Sequence, residues 1–221
     1  MMPLSKPYYQ DDAVTLYLGD CLEVTDWLEA DVLVTDPPYG ISYVRGGDRK
    51  IAPKQPVTGD HDTSVRDAAL TLWGTRPALV FGSWRAPRPS TTRQVITWWK
   101  RSVGPGSGDV SLPWGNATEE IYVMGSGFVG LRRANVIETH DHRQGAAVIT
   151  GHPSNKPLSL MEQLVACSVG VIADPFVGSG TTLLAAKALG RKAIGVELDE
   201  RYCEIAARRL SQGVLDFGGV A

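Results

Sequence analysis

Residues 171–199 constrain the fold more tightly than any other stretch. Val171 to Ala173 reads as a buried strand, Asp174-Pro175-Phe176-Val177-Gly178-Ser179-Gly180-Thr181-Thr182 opens a helix that runs through Leu189, and Gly190 stops it. Lys192 to Val196 is a second strand ending at Glu197, and Asp199 caps a last helix with Tyr202, Ile205, Ala206 and Leu210 inward. A strand, a glycine turn, a helix and an acid at the next strand end make up the nucleotide-binding half of a doubly wound sheet. Gly178 and Gly180 match the first two glycines of a dinucleotide fingerprint, but Leu183 stands where the third would be. Asp174 places a carboxylate at the mouth of the site, where it would repel a diphosphate and attract a sulfonium. That chemistry favours S-adenosylmethionine over NAD.

A second device lies at Asp36-Pro37-Pro38-Tyr39-Gly40, after the apolar run from Val32. Two prolines supply no backbone N–H, so the turn offers carbonyl oxygens and a carboxylate with few competing donors. The residue before a proline is held extended, which projects Asp36 past the strand end. An exocyclic amine on an aromatic base is a poor nucleophile because its lone pair is conjugated with the ring. Accepting its two hydrogens, on Asp36 and on the Pro37 carbonyl, would localise that pair for attack. Tyr39 offers a flat ring to stack on the base.

The remaining chain reads as further α/β elements. Val14 to Leu18 is a strand, Cys21 to Glu29 a helix capped by Asp20, and Asp31 to Thr35 a strand, together a βαβ unit. Thr63 to Trp73 and Pro157 to Ser168 are helices, the latter with Leu158, Met161 and Val165 on one stripe. Pro77 to Phe81, Val95 to Arg101 and Glu119 to Met124 are strands, and Trp98 and Trp99 face opposite sides of theirs. At 221 residues, the chain is expected to form a single domain over 1–221. Residues 41–62 form a loop without periodicity and are expected to act as a flexible lid, and residues 125–151 are short and weakly patterned.

Charge is unevenly placed. The net is −2, yet residues 41–156 carry fifteen Lys and Arg against nine Asp and Glu. Local sign governs where a polyanion docks. Arg45, Arg49, Lys50 and Lys54 in the loop, Arg85, Arg88 and Lys100 among tryptophans, and Arg132 and Arg133 beyond them form the expected DNA-contacting set. Cys21, Cys167 and Cys203 lack C-x-x-C spacing, and His140, His142 and His152 lack partners, so no metal is expected. No apolar run approaches membrane length, and the odd cysteine count suggests a reducing, cytoplasmic setting.

The D-P-P-Y turn and the D-P-F-x-G-S-G-T-T loop together resemble the amino-group DNA methyltransferases, which modify adenine or cytosine outside the ring. Having the acceptor turn before the glycine loop is similar to their circularly permuted β-type order. The resemblance extends to Gly19-Asp20-Cys21, to His152-Pro153-Ser154-Asn155-Lys156-Pro157 and to Glu197. It implies an α/β, Rossmann-like methyltransferase fold with a mainly parallel sheet and helices on both faces. It further implies that Asp36, Pro37, Pro38 and Tyr39 handle a flipped base. Asp20, Asp174, Phe176, Gly178, Ser179, Gly180, Thr181 and Glu197 would then line an S-adenosylmethionine site, with Ser154 and Lys156 near the methionyl end. Ser154 stands where the family usually has Thr. The implied partner is double-stranded DNA, read by a short target-recognition region at about 125–151, a homodimer being compatible with the chain. D-P-P-Y is more typical of adenine-N6 enzymes, so adenine leads and cytosine-N4 follows. A catalytically dead DNA-binding subunit should have lost Asp36, a loop glycine or Glu197, and all three are present.

Overall fold

The computed structural model describes residues 6–41, 60–101, 106, 108–140 and 156–212. Arg45, Arg49, Lys50, Lys54, His142, His152 and Ser154 lie outside the described residues. Among the described residues the strands are β1 (Tyr9–Gln10), β2 (Val14–Leu18), β3 (Val32–Thr35), β4 (Ala78–Gly82), β5 (Gln94–Lys100), β6 (Thr118–Met124), β7 (Val136–Thr139), β8 (Ile172–Asp174) and β9 (Ala193–Glu197). The α-helices are α1 (Ser64–Trp73), α2 (Leu158–Ala166), α3 (Thr181–Ala188) and α4 (Glu200–Ser211).

The strands form one sheet in the order β1-β2-β9-β8-β3-β4-β6-β5-β7. From β2 to β4 the neighbours are parallel, while β1 and β6 run antiparallel to theirs and β7 is parallel to β5. Strands covered on both faces need apolar residues at every position, and β3 and β4 are buried throughout. Their alternate side chains feed two cores. Val32, Val34, Leu79 and Phe81 pack with Leu160, Leu164, Leu183 and Leu210 from α2, α3 and α4. Leu33, Ala78 and Val80 pack on the other face with Leu70 and Trp73 of α1 and with Trp27. The Trp27 and Trp73 rings stack 5.8 Å apart, and the Arg76 guanidinium covers the Trp73 ring at 3.6 Å. Helices therefore cover both faces, as expected for the α/β methyltransferase architecture.

Four expectations need correction. Residues 21–29 form no α-helix but a turn and a 3-10 segment, Asp26–Glu29. The Asp20 side chain accepts from Leu22 N at 2.9 Å, its carbonyl takes Glu23 N and Val24 N, and the Trp27 indole donates to the Cys21 carbonyl at 2.9 Å. These bonds close a compact loop around a buried Trp27 and leave no repeating ladder, and β-branched Val24 and Thr25 offer little helix preference to oppose it. β2 and β3 are not adjacent either, because β9 and β8 lie between them. On α4 the buried residues are Cys203, Ala206 and Leu210, while Tyr202 and Ile205 are half-buried. Finally, β7 occupies the stretch read as weakly patterned, and its Val136-Ile137-Glu138-Thr139 alternates exposed and buried. Trp98 and Trp99 do split, with Trp98 buried and Trp99 exposed.

Candidate active site

Parallel strands in an open α/β sheet present their C-terminal ends on one edge, where ligands bind. That edge here carries Gly19-Asp20 after β2, Glu197 ending β9, Asp174 ending β8, Asp36 after β3 and Ser83 after β4. Because β6 is antiparallel to both β4 and β5, its first residues and the last residue of β5 come to the same edge, bringing Glu119 and Lys100 with them.

Asp36 sits at the centre of a connected polar cluster. Its Oδ2 accepts from Lys156 Nζ at 2.5 Å and its Oδ1 from the Tyr39 hydroxyl at 2.8 Å. Lys156 also reaches the Tyr39 oxygen at 3.1 Å and lies 3.4 Å from Glu119. Glu119 in turn is 2.9 Å from the Tyr39 hydroxyl and pairs with Lys100. Two carboxylates thus face two ammoniums around one phenol. Lys156 is 9% exposed, with the Phe81 ring 4.8 Å from its nitrogen. Burial pushes the Asp36 carboxyl up, Lys156 opposes this and Glu119 adds to it. Burial also raises Glu119, but Lys156 and Lys100 outweigh it and hold that carboxyl at about 2. Burial and the two carboxylates keep the Tyr39 hydroxyl well above its ordinary value, so it stays a donor.

The sequence-predicted residues are redistributed by this geometry. Lys156, expected beside the cofactor, meets the acceptor turn, and Lys100, expected on phosphates, is paired with Glu119 and covers the Trp98 ring at 4.7 Å. Tyr39 packs its ring against the core while its hydroxyl joins the cluster. Glu119 was missed. The available signal was the Glu119-Glu120 pair opening a strand, one of which must turn inward where the other turns out. Gly40 has φ 72° and donates to the Asp60 carboxylate at 2.7 Å.

The glycine loop packs beside this cluster. Gly180 adopts φ 87°, and a Cβ there would stand 2.9 Å from the Ala206 Cβ of α4. Gly178 has φ 54°, and its N–H donates to Glu197 at 2.6 Å; the other Glu197 oxygen accepts from Asp199 N at 2.9 Å. Burial raises the Glu197 carboxyl, and these two N–H groups oppose the rise. Asp174 does not front an open mouth. It is 1% exposed, accepts from the Thr35 hydroxyl at 2.6 Å and from Phe176 N at 3.1 Å, and burial pushes it to about 7. Its place ties β8 to β3 beneath the loop, because the extended backbone of the strand end turns the side chain inward. Glu197 and Asp20 are the less buried acids of the cleft. Burial, with smaller contributions from Asp20, Asp174 and Glu197, raises the Cys21 thiol to about 12. Ser179 and Thr181 are buried, and both hydroxyls take the Arg209 guanidinium, at 3.0 and 3.4 Å.

On the surface, Arg88 forms a two-point pair with Glu120, and the exposed Arg85 lies 5.7 Å from the Trp84 ring. Arg132 and Arg133 are exposed. Among the described residues no group of His, Cys, Asp and Glu is placed to hold a metal, and no helix is long and apolar enough to cross a membrane.

Comparison with known proteins follows the same lines. Residues 83–208, more than half of the chain, match the family N6_N4_Mtase, described as DNA methylase. The type II methyltransferase M.ScaI of Streptomyces caespitosus is 48% identical over 94% of this chain and 84% of its own length. Five other type II methyltransferases match over shorter stretches, the chain covering 24% of their length or less. Among solved structures, the PvuII DNA methyltransferase (cytosine-N4-specific) superposes with a TM-score of 0.66 at 16% identity, over 98% of this chain and 91% of that one. The M1.HpyAVI–SAM complex superposes with a TM-score of 0.63 at 22% identity, over 89% of this chain and 98% of that one. At such identities the two structures establish the fold.

Proposed function

Because the chain belongs to the N6/N4 family of DNA methylases, we propose that it transfers a methyl group from S-adenosylmethionine to the exocyclic 6-amino group of adenine in double-stranded DNA. The observation that carries this reading is the Asp36 carboxylate, set by two prolines at the end of β3, on the same sheet edge as the glycine loop and Glu197.

The cleft fits the cofactor. Gly178 and Gly180, both at positive φ, let the loop turn tightly at the sheet edge, and the half-buried Glu197 and Asp20 on that edge suit a cation. Glu197 keeps lone pairs beyond its two backbone bonds for ribose hydroxyls. Phe176 would flank the adenine, and Asp20 would bound the cleft from the β2 side. When bound, S-adenosylmethionine supplies an electrophilic methyl carbon whose bonding pair departs with sulfur. Asp36 and the Pro37 carbonyl accept the amine hydrogens and turn the nitrogen lone pair out of the ring plane. Once the nitrogen has gained its fourth bond, Asp36 takes the proton it sheds, a role suited to a carboxyl whose basicity is raised by burial. Tyr39 supplies the floor on which the flipped base rests.

The test is mass spectrometry of nucleosides from DNA treated with the purified protein and S-adenosylmethionine. N6-methyladenine is the expected product. N4-methylcytosine would move the substrate to cytosine with the rest of the mechanism intact, and DNA without a methylated amine would overturn the reading.

A further inference from the structure

Lys156 on the Oδ2 side competes with a substrate amine for Asp36, and the acceptor turn itself, whose Tyr39 oxygen Lys156 reaches at 3.1 Å, provides no second carboxylate for it. Glu119 does. It lies 3.4 Å from Lys156 and 2.9 Å from the Tyr39 hydroxyl, and it is itself anchored by Lys100. We propose that Glu119 is a positioning residue for the acceptor turn, the second carboxylate onto which Lys156 moves when the substrate amine displaces it from Asp36. This rests on the amine-transfer reading above.

The argument is one of charge and geometry. Lys156 is 9% exposed, so leaving Asp36 for water is barred, and an unpaired buried ammonium costs several kcal/mol. A carboxylate already within reach removes that cost. Tyr39 links the two sites, since its hydroxyl lies within hydrogen-bond distance of both carboxylates and can donate to only one at a time. With Lys156 on Asp36, the phenol stands between the carboxylates, 2.8 Å from Asp36 and 2.9 Å from Glu119; when Lys156 moves to Glu119, the phenol can stay on Asp36 and share it with the amine. Lys100, held on the far side, keeps Glu119 ionised and in place. The groups that face Asp36 are Lys156, Tyr39 and Glu119, and Asp36 in turn is the smallest of the named influences on Asp174 one strand away.

The experiment follows the Asp36 carboxyl directly. In full-length protein labelled with 13C-aspartate, its resonance is identified by its loss in Asp36→Asn and titrated with pH. Glu119→Gln removes a facing negative charge and leaves Lys156 no other partner, so Asp36 should titrate at lower pH than in wild type. Lys156→Met removes the facing cation, so Asp36 should titrate higher. Turnover on DNA should fall on the order of 10²-fold in Glu119→Gln, a displacement of the reacting geometry, with the acid limb of kcat/KM moving to lower pH and DNA affinity kept. If Glu119→Gln fails to fold because Lys100 is left unpaired, Glu119→Gln/Lys100→Met removes both charges and should show the same downward shift. A titration of Asp36 unmoved by the Glu119 variants would overturn the proposal. The titration needs no activity, so a wild-type protein that methylates no DNA would refute the proposed function while still showing whether Glu119 and Lys156 control Asp36.

Discussion

Asp36 is useful because it is held, not because it is acidic. The two prolines, Lys156 and Tyr39 fix one rotamer at the end of β3. Asp36→Ala should lower methyl transfer by about 10²–10⁴-fold, in the range of a lost acid–base group, while calorimetry shows S-adenosylmethionine affinity near wild type. Surviving turnover would remove the carboxylate from the chemistry. Asp174 makes a different prediction. Its folded value of about 7 lies above the ordinary carboxylate range, so the folded state binds a proton that the unfolded state has released. The stability from that proton is complete below the unfolded value and is lost as pH rises towards 7. Asp174→Asn, neutral and able to accept from Thr35 and Phe176, should therefore gain melting temperature relative to wild type across that window, and a constant difference would contradict the assignment. Gly180→Ala adds a methyl 2.9 Å from Ala206 at φ 87°, whereas Gly190→Ala, at φ 65°, meets nothing within 4 Å. Urea denaturation should show the first costing about 1–3 kcal/mol and exceeding the second.

At the level of elements, β8, α3 and β9 were legible because strand, glycine turn and helix follow one another locally and each carries its own stop signal. The stretch from Cys21 to Glu29 was not, since a polar residue at a strand end caps a turn as readily as a helix, and a buried Trp27 decided between them. Single-residue alternation revealed Trp98 against Trp99, but four-residue β7 is too short for its period to stand out. The segment from residue 41 to 62 belongs to this scale as well. The Gly40–Asp60 hydrogen bond lies beside the acceptor turn, and the residues of this segment expected on phosphates are Arg49, Lys50 and Lys54. If they contact phosphates, affinity for duplex DNA should fall with a logarithmic salt slope of about 0.9 per contact, and alanine at all three should flatten it by about two to three. Binding across a salt series checks this, and an unchanged slope would leave the loop without a DNA role. Arg88 is a weaker candidate, being already paired with Glu120.

For the molecule as a whole, a cofactor that binds only the folded state must stabilise it. S-adenosylmethionine at about 100 times its Kd should add about 2.7 kcal/mol, and NAD at the same concentration should add nothing. Thermal melts with each ligand measure the difference, and equal shifts would undo the cofactor assignment. The sheet makes such coupling natural, because the glycine loop, Glu197 and Asp36 all hang from neighbouring strands of one parallel core whose side chains interlock on both faces.

The chemistry at each strand end is written in adjacent residues: a carboxylate before two prolines, a glycine loop opening a helix, an acid closing the next strand. Those signals are local, carried by backbone constraints that neighbouring residues impose on one another. Which ends meet is set by the assembled sheet. Lys156 reaches Asp36 across 120 residues and Glu119 reaches Tyr39 across 80, and β9 and β8 separate two strands that follow one another in the chain. Strand order depends on which apolar faces bury best together, a property of the assembled sheet, and so does the inward turn of Asp174 that moved the cleft's exposed acidity onto Glu197 and Asp20.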